Sequence, residues 1–195
     1  MTDVISSVQP EELALTAVGS RAGSRSGDWF ETLFRDQYPR LAALLTRLTG
    51  DRGRAEEIAA DAFSKLASRS TFLSSREDVT AWLYRVATNA GLDALRARAR
   101  RRRTEQEAGT LRALHSGEAG ALETLLREER SARVRSILTR MKARDAQLLL
   151  LRSNEMPYRE IAQTLGIQSS SVGTLLARAE REFERRYRAR YGDEL

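Results

Sequence analysis

Apolar residues recur at three- and four-residue steps along most of this chain and nowhere alternate with polar ones, so the pattern predicts helices and no strands. Phe30, Leu33, Phe34, Leu41, Leu44, Leu45 and Leu48 make the first stripe. Pro39 lies within it. A proline removes one helical hydrogen bond and crowds the preceding turn, so a kink or break is expected near Tyr38. Thr49-Gly50-Asp51 then punctuates the chain, with Asp51 placed to cap a second helix. That helix turns Ile58, Ala59, Ala62, Phe63 and Leu66 inward and Glu56, Glu57, Asp61 and Lys65 outward. Residues 68–78 read as a polar loop. A third helix begins near Val79 and runs through Trp82, Leu83, Val86, Ala87 and Ala90 into a run of arginines.

From 104 to 120 the periodicity lapses into Glu, Ala, Gly and Thr, the composition of a linker. It returns with Leu122, Leu125, Leu126, Val134, Ile137, Leu138 and Met141, followed by a short helix over 145–152 and a last helix reaching about Arg190. Residues 1–27, rich in Ser, Gly and Arg, are expected as a disordered N-terminal tail. The expected fold is all-α, with two small helical domains, 28–103 and 121–195, joined by a flexible linker over 104–120.

Residues 158–178 spell a helix-turn-helix. Ala162 fits a close helix crossing, Gly166 a turn needing positive φ, and Val172 the inward face of the second helix. Ile161, Leu165, Ile167 and Leu175 supply a small shared core, while Ser169, Ser170 and Ser171 offer an N-cap and short polar side chains at the helix start. A plain helical hairpin is the alternative, and it does not need this Ala-Gly-Val spacing with a serine-rich start.

Charge narrows the partners. The net charge is +6 and the sequence pI about 10.2, which suits a polyanion. The absence of cysteine excludes disulfides and thiolate chemistry, and the lone His115, in a Gly/Ala/Glu-rich stretch, assembles no metal site. No Gly-rich phosphate loop or inward pair of acids appears, so neither an enzyme nor a bound cofactor or metal is expected. No apolar run approaches a membrane span, and the N-terminus lacks the shape of a signal peptide, so the expected location is cytoplasmic without membrane insertion.

Three features of the third helix leave two readings each. Six arginines between Arg96 and Arg103 fit a solvated helix end or a phosphate-binding surface, because cations so close together repel unless an anion neutralises them. Trp82 fits a core position or a stacking platform. Asn89 fits an exposed helical amide or a base contact, since an amide pairs with a base edge through both donor and acceptor.

These residues carry a resemblance. WLYRVATNAGLDALRARAR, over 82–100, resembles the −10-element region of bacterial RNA polymerase sigma factors of the extracytoplasmic-function (ECF) class. GDRGRAEEIAADAFSKL, over 50–66, resembles that family's polymerase-clamp segment, and the long helix plus helix-turn-helix resembles its −35-reading domain. The resemblance implies a transcription initiation factor that binds core RNA polymerase, directs it to promoter DNA, melts the −10 element and docks on the −35 element. It implies that Glu56, Glu57 and Asp61 meet the β′ clamp, with the β flap as a second polymerase contact. Phe72, Asn89, Arg96, Arg98 and Arg100 are implied at the −10 element, and Gln168, Ser169, Ser170, Ser171, Thr174 and Arg178 at the −35 element. An anti-sigma factor is a frequent partner in this family. The alternative is a stand-alone helix-turn-helix regulator of duplex DNA, which would leave the clamp-like segment unused. Two departures stand out: Ala60 replaces a usual Gln, and Gly173, Leu175 and Glu180 replace a Lys and two Arg of the recognition helix.

Overall fold

A computed structural model describes the backbone of residues 11–68, 75–107 and 121–192, with side chains from residue 28 onward except at 107, 121 and 122. Among the described residues there are seven helices and no strand: α1 Glu11–Thr49, α2 Arg52–Ala67, α3 Arg76–Glu107, α4 Ala121–Leu138, α5 Ala143–Ser153, α6 Tyr158–Leu165 and α7 Ser169–Tyr191. The all-α expectation holds.

The chain divides into two compact units, residues 1–38 and 39–195, yet α1 runs through Pro39 without the break the sequence predicts near Tyr38. In the first unit the helix covers 11–27, a stretch whose composition reads as a tail. The reason is local: Glu11-Glu12-Leu13-Ala14-Leu15 are good helix formers, and a helix once nucleated extends at low cost. Further along, Arg35 pairs with Glu31 at 2.7 Å and the Phe34 and Tyr38 rings stack at 4.7 Å, both one turn apart.

The second unit holds the core. Leu41, Leu44, Leu45 and Leu48 of α1 are essentially inaccessible, as are Ala55, Ala59 and Leu66 of α2 and Leu83, Ala87 and Leu92 of α3. Gly91 permits a close crossing: a Cβ there would lie 2.7 Å from Leu48 Cδ2 and 2.9 Å from Leu45 Cδ2. Asp51 caps α2, its carboxylate accepting from the Arg54 N–H at 3.0 Å. The third helix starts at Arg76, three residues earlier than the apolar pattern suggests, because Ser75 and Asp78 bond reciprocally at the first turn and organise an N-terminus ahead of Val79.

In the carboxy-terminal half, Ile161 and Val172 are fully buried, Ala162 nearly so, and Gly166 ends α6 with φ +64°, the left-handed conformation its position requires. The expected serine cap is not formed. Gln168 occupies the N-cap without a side-chain bond, and Ser169 is already helical, so the serines lie along the first turn.

From Pro39 onward, the two expected helical domains lie against each other. α3 packs on α6 and on α5, and α1 from Pro39 through α7 form a single compact unit. The helix α3 also runs on to Glu107, absorbing the first residues of the expected linker; 108–120 lie outside the described residues. The physical reason is a set of polar pairs between residues far apart in the chain, which no local periodicity announces.

Candidate nucleic-acid interface

The basic helix α3 places Asn89, Arg96 and Arg100 at steps of seven and four, one stripe along the helix. Arg98 falls off this stripe and its Nη1 donates to the Thr49 carbonyl at 3.0 Å. Arg96 is half-buried; it donates to the Met141 carbonyl at 3.3 Å and lies 3.5 Å from Asp93. Arg100 is exposed. Asn89 is exposed as a residue, yet its Oδ1 accepts from Gln147 Nε2 at 2.9 Å. Trp82 is half-buried, between its two readings. Phe72 lies outside the described residues.

Gln147 belongs to α5 and is itself buried, donating also to Thr88 Oγ1 at 3.0 Å. Two further links hold the halves together. Arg85 of α3 donates to the carbonyls of Thr164 and Gln163 at the end of α6, the latter at 2.9 Å, where a helix leaves its last acceptors unpaired. Gln163 Nε2 in turn donates to Asp78 Oδ1 at 2.9 Å, and the Ser75 hydroxyl together with this bond holds the Asp78 carboxyl below its ordinary value. Sequence reasoning missed Gln147, Arg85 and Gln163. The signal for Gln147 was present: a polar residue directly before the Leu148–Leu151 run, on the face that must be inward.

The amino end of α7 presents Gln168, Ser169, Ser170 and Thr174 to solvent, with Ser171 half-buried. Arg178 follows one turn after Thr174; it is exposed and lies 3.7 Å from the buried Asp145 of α5. Gly173 is half-buried and a Cβ there would meet only Tyr158 Cε2, at an ordinary 3.7 Å. Packing therefore does not demand the glycine. Leu176 is buried and Leu175 half-buried. On α2, Glu57 and Asp61 are exposed one turn apart, while Glu56 is partly covered; Glu56 and Glu57 pair with Arg52 and Arg54 at 2.8 Å each. Among the described residues no group of acids and His could hold a metal, and no helix is long and apolar enough to cross a membrane.

Two family models account for the two halves. Sigma-70 region 2 matches residues 33–101, and Sigma-70, region 4 matches residues 131–183. The chain belongs to the sigma-70 family, ECF type. RNA polymerase sigma factor YlaC of Bacillus subtilis is 27% identical over 161 residues, which cover 81% of this chain and 91% of that protein. A probable ECF RNA polymerase sigma factor, SigI of Mycobacterium tuberculosis, is 29% identical over 149 residues, 73% of this sigma factor and 50% of that one. Among solved structures, the sigma factor RpoE, crystallised with the anti-sigma factor NepR from Bartonella quintana, aligns with a TM-score of 0.49 at 18% identity, over 80% of this chain and 94% of that one. The family makes this sigma factor a transcription initiation factor, whose partners are core RNA polymerase and promoter DNA.

Proposed function

We propose that the sigma factor docks on core polymerase through the outer face of α2, opens the −10 element with α3, and reads the −35 element with the start of α7. The observation that carries this is the exposure, in one chain matched by both regions, of an acidic α2 face and a polar α7 amino end. Glu57 and Asp61, with Glu56 beside them, offer carboxylates to a basic partner surface. Asn89, Arg96 and Arg100 combine one base-reading amide with two phosphate-seeking guanidiniums, the pairing that single-strand capture requires. Gln168, Ser169, Ser170 and Thr174 reach a major groove from a helix start, with Ser171 behind them and Arg178 directed to the backbone.

Reading the −10 element needs the Asn89 carbonyl, and Gln147 holds it. Engagement of promoter DNA therefore requires α5 to move off α3, exchanging the Gln147 contact for a base. Co-elution with core polymerase tests the docking face. Glu57→Lys with Asp61→Lys should weaken holoenzyme assembly about tenfold or more with the helical content unchanged, because both residues are exposed and charge reversal opposes a basic partner. Equal assembly by the double variant contradicts the α2 assignment. Promoter-duplex binding as tight without polymerase as with it would instead support a stand-alone regulator.

A further inference from the structure

We propose that Arg98, Arg102 and Arg135 form a binding site for a small polyphosphate, an anion of two or three linked phosphates, which ties α3 to α4. The three side chains line a cleft of about 1660 Å³ between the basic end of α3, the turn at Thr49–Gly50, α4 and the end of α7. Arg135 is the decisive member. Its guanidinium lies against Gly50, close enough that a Cβ on that glycine would sit 2.7 Å from Cζ. It is half-buried, and among the described residues its guanidinium makes no hydrogen bond or close ion pair, Glu128 being the acid whose charge reaches it. Burial, then the charges of Arg98 and Arg102, lower its proton affinity, and only Glu128 opposes them. A partly desolvated cation among like charges is unfavourable unless an anion joins it.

Two simpler explanations fall short. The C-terminal end of α1 attracts cations, and Arg98 answers it through the Thr49 carbonyl, but a helix end carries about half a charge against three whole ones. Duplex DNA would reach the exposed arginines of α3, Arg102 among them, but would leave the half-buried Arg135 less well met. Guanidinium forks bind phosphate oxygens in pairs, so a short phosphate chain satisfies all three together. Because α3 and α4 belong to the two different sigma regions, an occupied site favours the packed arrangement over one in which they part.

Thermal unfolding of the free full chain, with sodium tripolyphosphate against sodium chloride at matched ionic strength, tests the site. Wild type should show a saturable rise in Tm specific to tripolyphosphate. Arg135→Gln should bind about tenfold or more weakly and Arg102→Gln similarly, while Arg144→Gln, exposed and outside the cleft, should match wild type. Without the anion at low salt, Arg135→Gln should be more stable than wild type, because repulsion is relieved, and less stable with it. That reversal is what a merely structural arginine would not produce. Since the chain has no cysteine, dyes at Ser64→Cys and Glu180→Cys should report energy transfer that tripolyphosphate raises. A Tm response that follows ionic strength alone, or equal binding by Arg135→Gln and Arg144→Gln, overturns the proposal. Single-stranded DNA binding more tightly than tripolyphosphate, with the same weakening in Arg135→Gln, reassigns the site to nucleic-acid backbone and overturns it as well.

Discussion

Two glycines separated by seven residues behave differently. Gly166 has φ +64°, so alanine there is strained and should cost about 1 kcal/mol or more of stability. Gly173 sits inside α7 with room for a Cβ, so Gly173→Ala should raise stability by about 1 kcal/mol, measured by denaturant unfolding. If Gly173→Ala is as destabilising as Gly166→Ala, the room beside Tyr158 is not there. Asn89→Ala removes an amide that contacts Gln147 in the packed chain and, on the proposed reading, a base on the promoter. Open-complex formation, followed by permanganate reactivity, should fall roughly tenfold to a hundredfold, since a base contact of this type is worth about 1–3 kcal/mol. Holoenzyme assembly should be unchanged. Wild-type promoter opening by Asn89→Ala would remove the residue from the site.

The helices divide by how legible they are in the sequence. Gly166 marks the turn of the helix-turn-helix and the Asp51 cap marks α2, both local signals whose geometry the structure reproduces. The covering of α3 by α5 and α6 has no such marker, because Gln147–Asn89, Gln163–Asp78 and Arg85–Thr164 join residues dozens of positions apart. Spacing puts Asn89, Arg96 and Arg100 on one stripe, but does not reveal that Arg98 turns to Thr49 and Arg96 to Met141. On α3, Arg100 and Arg103 are exposed and, on the proposed reading, meet promoter phosphates. Replacing both with alanine should weaken binding on every promoter and flatten the slope of log affinity against log salt by about 0.7–0.9 for each phosphate no longer neutralised. On α7 the neutral Gln168, Ser169, Ser170 and Thr174 predict shallow base preference: substitutions scanned across the −35 element should cost less per base pair than across the −10 element. A steep preference for one −35 sequence would contradict that.

At the scale of the molecule, residues of both sigma regions share one compact unit, and on the proposed reading the contacts between them occupy part of the promoter-facing surface. A factor in this arrangement should bind promoter duplex weakly alone and act only once polymerase has drawn its regions apart. The Gln147 bonds to Thr88 and Asn89 contribute to that restraint at about 1 kcal/mol each. The most direct test of initiation itself is run-off transcription by purified core polymerase on genomic promoter fragments, with and without the chain. Discrete transcripts that appear only with the chain, and that diminish with Glu57→Lys plus Asp61→Lys, are the predicted result. Transcripts identical in both reactions would contradict the role as an initiation factor.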